Sequence, residues 1–525
     1  MILGIDAGGT NYDAVAFEDG SVVSAAKRSA DTDDGFETLL AEVVEKVDGS
    51  GNAEVDRVVV STTRVLNSAV QNRLPDCTNV VVPGVGLSPE LAYSGDENLV
   101  ADGCVDHRGR VTEPLEIDGE PSHGVVAVTA KFSTRNPSLE TEASESLDAP
   151  TVALGHESGG ALGFPSRAET TVANAKSKPV FESFESSLHD ALDETGIDAP
   201  VYYLKGDAAM LSRESARTTP AHTLRSGPAS SSLGLVALTE RYAETPSLTN
   251  AVCVDIGGTT TDVTLVKDGF PALVDEVEAG CISTFYDGVV AVNTTAGGDT
   301  RLDEDGLTGV RDGPAVAFGG PSPTPTDALH VLGEVSEGDA TAAREALSAL
   351  GDPEQVAEEV VDGFVSAIAE SVRSLEGHED VPGTVVVGGA LADALASRLA
   401  DRLDCISDVI VPQNAAVCGA VGCAVASVSV RTHVHVDTAR GEMTVASAGP
   451  EKVEEVETGV EYEEDEAREL VARETAEATR RAGGDATLDE IEITAFRSFN
   501  VVEDGRVVGQ ITDATARAEP GRRKR

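Results

Sequence analysis

A chain of 525 residues carrying a formal charge of −52, with no tryptophan and few lysines, is long enough for about three or four domains, each burying its own core. Acidity on this scale disfavours a nucleic-acid partner and, with lysine scarce and small residues abundant, reads as a halophile's surface, hydrated and self-repelling in strong salt. Its seven cysteines (Cys77, Cys104, Cys253, Cys281, Cys405, Cys418, Cys423) are scattered and never at Cys-x-x-Cys spacing, so they read as reduced core thiols; Met1 runs into the first strand without a basic leader and no apolar run would cross a bilayer, which makes the cytoplasm the expected compartment.

The chain opens on Ile2-Leu3-Gly4-Ile5, followed by Asp6-Ala7-Gly8-Gly9-Thr10-Asn11-Tyr12-Asp13 and Ala14-Val15-Ala16-Phe17. Two β-rich arms around paired glycines read as a hairpin whose backbone approaches an anion closely, with N–H groups and the Thr10 hydroxyl facing it. Phe36, Leu39, Leu40, Val43, Val44 and Val47 fall at helical spacing behind an acidic start signal at 31–34, and residues 57–61 read as a buried strand. The segment Ser61-Thr62-Thr63-Arg64-Val65-Leu66-Asn67 then puts hydroxyls and a guanidinium at a strand's carboxyl end, the edge where open α/β sheets bind ligands; a helix N-cap is the alternative for Thr62 or Thr63.

Residues 83–121 are loosely patterned and read as an insertion, and Gly84-Val85-Gly86 lacks the frame of a dinucleotide loop. Strands resume at 124–129 and 152–154. A polar cluster from Arg167 through Asn174 leads into an amphipathic helix through Phe181, Phe184, Leu188 and Leu192. The strand 201–204 ends on Lys205-Gly206-Asp207, again with a carboxylate at a carboxyl end.

The opening device recurs as Ala251-Val252-Cys253-Val254, then Asp255-Ile256-Gly257-Gly258-Thr259-Thr260-Thr261-Asp262, then Val263-Thr264-Leu265-Val266. A carboxylate cannot itself hold phosphate, so Asp6 and Asp255 are expected to hold Mg²⁺, directly or through water. The pair resembles the two phosphate loops of the actin, sugar-kinase and heat-shock ATPase superfamily, in which two similar domains clamp ATP. Ser226-Gly227-Pro228-Ala229, just ahead of the second loop, narrows this to a resemblance to the hydantoinase/oxoprolinase family, N-methylhydantoinase A-like. Arg167, Thr170, Thr171, Val172, Asn174 and Ala175 match that family's Arg-x-x-Thr-Thr-Val-x-Asn-Ala segment, and Thr326-Asp327-Ala328 its Thr-Asp-Ala element. The resemblance covers residues 1 to about 427. Where the family carries His-Thr-x-x-Ala-Gly-Gly-Gly-Ser, this chain has Asn293-Thr294-Thr295-Ala296-Gly297-Gly298-Asp299-Thr300, so Asn293 replaces a histidine and Asp299 a glycine. That departure bears on the substrate rather than on the nucleotide.

Val356, Val360, Val361, Phe364, Ile368 and Val372 mark a core-facing helix, and a strand at 384–387 ends in Gly388-Gly389-Ala390, which in the superfamily is the adenosine loop. Residues 419–426 form a helix of small residues that either crosses an interdomain hinge or simply packs closely. From Arg431 onward, strands, an acidic helix and a hairpin suggest an α+β appendage. His433 and His435 share a strand face there and read as a polar face rather than a metal site, and the tail 522–525 as a solvated end.

The expected architecture is α/β: a two-lobed actin-like ATPase fold of duplicated ribonuclease H-like domains, with a first lobe at 1–250, a second at 251–428 and a module at 429–525. The resemblance implies an ATP-dependent hydrolase that phosphorylates the carbonyl oxygen of a cyclic amide of the hydantoin or 5-oxoproline type. Gly8, Gly9, Thr10, Gly257, Gly258 and Thr259 would hold phosphate, while Asp13, Asp262 or Asp207 would orient the nucleophile. Thr62, Thr63, Arg64, Arg167, Asn174, Asn293 and Asp299 are the candidates for substrate contact. A kinase or ATP-dependent ligase is the alternative enzyme, and a nucleotide-gated structural or activator ATPase the alternative outside enzymes. A second, separately encoded subunit and self-association both remain open.

Overall fold

The computed structural model describes residues 1–30, 35–48, 54–160, 163–242, 248–375, 382–403, 406–447, 452–456 and 462–518. The start signal at 31–34, Cys405 and the tail at 522–525 lie outside the described residues.

Strands β1 (Ile2–Ala7), β2 (Asn11–Glu18) and β3 (Ser21–Ser29) form an antiparallel meander, and after helix α1 (Gly35–Asp48) strand β4 (Arg57–Thr62) returns parallel to β1. Alternation along β1 explains its place between two layers. Leu3 and Ile5 face Leu39, Leu40 and Val43 of α1, whereas Ile2 belongs to the core on the opposite face.

The chain then leaves this sheet. β5 (Thr78–Val82), β6 (Glu97–Val100), β7 (Val125–Ala130) and β8 (Thr151–Leu154) form their own all-parallel sheet in the order β8-β7-β5-β6. The inserted unit is therefore wider than the loose stretch at 83–121, because the apolar runs on either side of that stretch pair with each other. Helix α2 (Phe164–Glu194) runs 31 residues with Pro179 inside it, and the polar cluster expected ahead of a helix lies within it. β9 (Val201–Leu204) and β10 (Met210–Ser212) then complete the first sheet in the order β10-β9-β4-β1-β2-β3.

The second sheet repeats the plan. β11 (Ala251–Ile256) pairs antiparallel with β12 (Thr261–Lys267), β12 with β13 (Ala291–Thr294), and β11 lies parallel to β14 (Thr384–Gly389), which is followed by β15 (Asp408–Ile410). Helix α4 (Pro353–Ser374) covers its outer face through Val361, Phe364 and Ile368, all fully buried. This is the two-lobed, actin-like ATPase fold. The lobes share a core in which α3 (Ser226–Tyr242) and α5 (Cys418–Val425) cross between the sheets, bringing Leu233, Leu235, Val421 and Cys423 together with Val59 of one sheet and Val386 of the other. Gly234 and Gly422 make the crossing possible: a Cβ on Gly234 would stand 1.9 Å from the Cys418 carbonyl oxygen, and one on Gly422 1.8 Å from that of Ser230.

The remaining residues form a five-stranded antiparallel sheet, from Arg431–Asp437 to Arg506–Ala518, backed by the helix Glu464–Arg481. It docks on the inserted sheet through Arg108 with Asp437 and Arg135 with Asp513. His435 accepts or donates through Nδ1 to Asp513 at 2.7 Å, and His433 lies 3.3 Å from the Thr515 hydroxyl. Five described cysteines are buried as expected, but Cys281 is exposed, at a turn between two short strands. Among the described residues no helix is long and apolar enough to cross a membrane.

Candidate active site

Strand register builds the site twice. In the first lobe Asp6 on β1 stands opposite Asp13 on β2, and Asp13 opposite Lys27 on β3. In the second, Asp255 on β11 stands opposite Asp262 on β12, and Asp262 opposite Asn293 on β13. The two triads differ in the third residue. Lys27 Nζ donates to Asp13 at 2.8 Å, whereas the Asn293 amide donates to Asp262. One lobe thus pairs its outer carboxylate with a charge, the other with a neutral donor.

Burial raises the carboxyls of Asp6, Asp13, Asp255 and Asp262 above the usual aspartate range. For Asp6 the value is about 7, with the charges of Asp13 and Asp255 adding to burial and the Ser61 hydroxyl and Lys27 opposing it. Asp262 is also pushed up to about 7 by burial and by Asp255, against the Asn293 hydrogen bond. Burial pulls the Lys27 ammonium down, but Asp13, Asp255 and Asp6 outweigh it and hold it above the ordinary lysine value.

The inner carboxylates are braced from behind by the crossing helices. Ser61 Oγ donates to Asp6 at 2.5 Å, and the other Asp6 oxygen lies against Gly419, where a Cβ would come within 2.3 Å of it. Ser231 of α3 donates to Asp255, and the Cys418 thiol at the start of α5 bonds to it as well.

In front of the carboxylates the two glycine loops meet. The hydroxyls of Thr10 and Thr259 are 2.6 Å apart. An added Cβ would meet the Asn11 carbonyl at Gly8 and the Thr260 carbonyl at Gly257, and side chains at the other two: the Asn67 amide at Gly9, and at Gly258 Asp299 Oδ2 at 2.7 Å and Thr10 Cγ2 at 3.0 Å. At the end of β14, Gly389 has φ +90° and Gly388 packs on the Cys418 sulfur, so the backbone ahead of the exposed Ala390 turns where no side chain intervenes.

Glycine backbone, threonine hydroxyls and a pair of half-buried inner carboxylates fit a nucleotide's phosphate chain together with a hard divalent cation. Among the described residues no three carboxylate, imidazole or thiol groups converge into a complete metal cage.

The other residues singled out from the sequence divide into two sets. Asn293 stands on Asp262, and Asp299 on the second loop, its N–H donating to the Gly258 carbonyl at 2.7 Å and its carboxylate 3.7 Å from Arg311 Nε. Thr63 accepts from Asn67, whose amide flanks Gly9. Arg64 bonds the Tyr12 hydroxyl and lines a cavity of about 910 Å³ whose walls, including Phe36, Arg73 and Phe184, come from the first lobe.

The second set is bonded within the fold. Thr62 is buried, its backbone bonded both ways to the Ser226 hydroxyl. Arg167 is fully buried and donates to the Ala130 carbonyl at 2.8 Å, with Glu140 beside it. Asn174, also buried, bonds Tyr286, Ser158 and the Ala221 N–H. Asp207 closes a turn onto Ala209 and pairs with Lys205 at 2.7 Å, apart from the four-carboxylate group. Asp327 caps its own helix and ties in the N–H groups of Val316 and Ala317.

Sequence reading missed Lys27, Ser231 and Cys418, while the hydroxyl segment it placed at the end of β4 begins with Ser61, the residue that bonds Asp6. Lys27 had a readable signal: it is a lysine in a chain nearly without them, one strand from a phosphate loop. Its register was not readable. The Asp19-Gly20 turn pairs Phe17 with Val22, and an extra residue, Val23, shifts the ladder so that Ala16 faces Ser24 and Asp13 faces Lys27. Without the bulge Asp13 would face Ala26.

Residues 167–432 match the family model described as hydantoinase/oxoprolinase, and residues 2–149 match that of the hydantoinase/oxoprolinase N-terminal region. Over 389 residues the chain is 24% identical to the caprolactamase subunit alpha of Pseudomonas jessenii, covering 64% of this chain and 55% of that protein. Over 369 residues it is 22% identical to an uncharacterized protein of Methanocaldococcus jannaschii, covering 61% of this chain and 54% of that one. The chain therefore spans about half the length of the curated relatives it matches. Among solved structures, nucleotide-free acetone carboxylase superposes with a TM-score of 0.69 and the ATP-dependent caprolactamase of Pseudomonas jessenii with 0.64. Each is 18% identical, and each match covers 98% of this chain and 87% of the other. These two likenesses concern the fold.

Proposed function

The chain belongs to the hydantoinase/oxoprolinase family, and from that premise we propose that it is an ATP-dependent enzyme that opens a cyclic amide by phosphorylating its carbonyl oxygen. The observation that carries the reading is the meeting of two carboxylate-backed glycine loops at the Thr10–Thr259 contact. The relative named as a caprolactamase subunit supports the substrate class, and its being called subunit alpha supports a second, separately encoded partner.

In this reading Asp6 and Asp255 hold Mg²⁺, which supplies charge neutralisation at the phosphates when bound. Backbone donors of Gly8, Gly9, Gly257 and Gly258, with Thr10 and Thr259, bind the phosphate chain, and Gly388 to Ala390 take the adenosine. The amide oxygen attacks the terminal phosphorus and ADP departs. Water then adds at the carbonyl carbon, and the C–N bond breaks with the nitrogen taking up a proton. The resulting acyl phosphate is hydrolysed at carbon, so phosphate leaves with the former carbonyl oxygen.

A base must take the proton of water. Asp207 is paired with Lys205; of the two outer carboxylates Asp262 is the one with a neutral partner, and a value near 7 suits a base working at neutral pH. Asp262 is accordingly the proposed base, and Asn293 the residue that orients it. Asp299 and Arg64 are the proposed substrate-side groups.

A cyclic amide labelled with oxygen-18 at its carbonyl tests the route. The expected result is ATP-dependent ring opening with the label in released phosphate. Ring opening with unlabelled phosphate would eliminate carbonyl phosphorylation, and transfer of phosphate to a product that keeps it would favour a kinase.

A further inference from the structure

We propose that Lys27 is the cation that meets the terminal phosphate of ATP, exchanging its contact with Asp13 for one with the nucleotide; this rests on the ATP-dependent reading above. Lys27 ends the first triad, with its Nζ 2.8 Å from Asp13 Oδ2 and its charge acting on Asp6, Asp13 and Asp255, carboxylates from both lobes. The equivalent position in the second lobe is the neutral Asn293. The fixed cation of this duplicated arrangement is therefore one-sided.

That side is the far one for a bound nucleotide. Gly388 and Gly389 pair with Asp255 and Ile256 in the second sheet, so the adenosine proposed there lies on the second lobe's side of the Thr10–Thr259 contact and Lys27 on the first lobe's. Chemically the exchange is favourable. An ammonium has three donors, and in this position it sets a positive charge beside carboxylates that would otherwise repel a phosphate chain. No covalent bond to Lys27 forms or breaks.

The test is a calorimetric titration of the full chain, with Mg²⁺ and no substrate, against ADP and against a non-hydrolysable ATP analogue. Lys27→Met is expected to weaken the analogue by about 10- to 100-fold, the range for one charge-assisted hydrogen bond, while ADP changes by less than about 3-fold. Lys27→Arg should retain most of the preference. Equal losses on both nucleotides, or none on either, would overturn the assignment.

Because Lys27→Met also strips Asp13 of its partner, Lys27→Met/Asp13→Asn is the second variant. It should melt at the wild-type temperature and still fail to prefer the analogue. A restored preference would mean that the lysine acts only through Asp13, and the proposal would fall. A wild-type chain that binds neither nucleotide would instead refute the ATP reading, and Lys27's role with it.

Discussion

Thr10 and Thr259, 249 positions apart in the chain, share a hydrogen bond between their hydroxyls. Each caps the glycine loop of its own lobe, so the contact closes the space in which both loops would hold phosphate. In the nucleotide-free protein, unfolding of Thr10→Val, Thr259→Val and the double variant should show a coupling of about 0.5–1.5 kcal/mol, the worth of a single hydroxyl pair. With Mg·ATP bound the coupling should vanish, since each hydroxyl then turns to a phosphate oxygen. Additive losses without nucleotide would show that the loops do not touch.

The carboxylates predict how stability depends on pH. Asp6 and Asp262 titrate near 7 in the folded chain and near 4 when unfolded, so between those values the folded state binds more protons. Stability from these groups therefore declines as pH rises from about 4 to 7. Asp262→Asn removes one contribution, so its unfolding free energy should gain on that of wild type between pH 5 and pH 8 by an amount on the order of 1 kcal/mol or more, and its melting temperature should rise relative to wild type over the same range. A constant gap across that range would mean that Asp262 is not held up by burial. Asp6→Asn and Asp255→Asn should behave alike in the melts but lose Mg·ATP binding by orders of magnitude.

What the sequence disclosed follows from locality. Each phosphate loop is contiguous, and two apolar arms around Gly-Gly dictate the hairpin, the Asp6–Asp13 and Asp255–Asp262 pairs and the exposed backbone between them. Partners across sheets are not local. Residues 124–129 read as a strand, but nothing in Val125–Ala130 says that it joins β5 rather than β1. Arg167 and Asn174 read as substrate contacts from the family segment they match, and the sequence does not show that both are buried within α2, bonded to Ala130 and to Tyr286 and Ala221. Lys27 was hidden by a single bulged residue, which changes the face that a strand presents.

The acidic composition predicts dependence on salt. At a formal charge of −52 the surface carboxylates repel over a Debye length that grows from about 3 Å in molar salt to roughly 30 Å at 0.01 M. The melting temperature should climb steeply with KCl and approach a plateau at molar concentration. An identical melting temperature in dilute buffer would show that the acidity is not an adaptation to salt.

Two glycines in helices should respond to alanine with opposite signs. Gly363, in α4, is exposed, and an added Cβ meets nothing within 4 Å; Gly363→Ala should stabilise the chain by about 0.5–1 kcal/mol through the cost that glycine carries in a helix. Gly422, in α5, would put its Cβ 1.8 Å from the Ser230 carbonyl oxygen on α3, and backbone on both sides leaves the helices no choice but to part. Overpacking of that kind costs about 1–3 kcal/mol. The same displacement reaches the site, because Ser231 of α3 donates to Asp255 while Cys418 and Gly419 of α5 touch Asp255 and Asp6. Gly422→Ala should therefore lower both the melting temperature and Mg·ATP affinity, and Gly363→Ala should raise the first and leave the second unchanged. Loss of stability at Gly422 with full nucleotide affinity would show that the helix crossing holds the lobes together without setting the carboxylates.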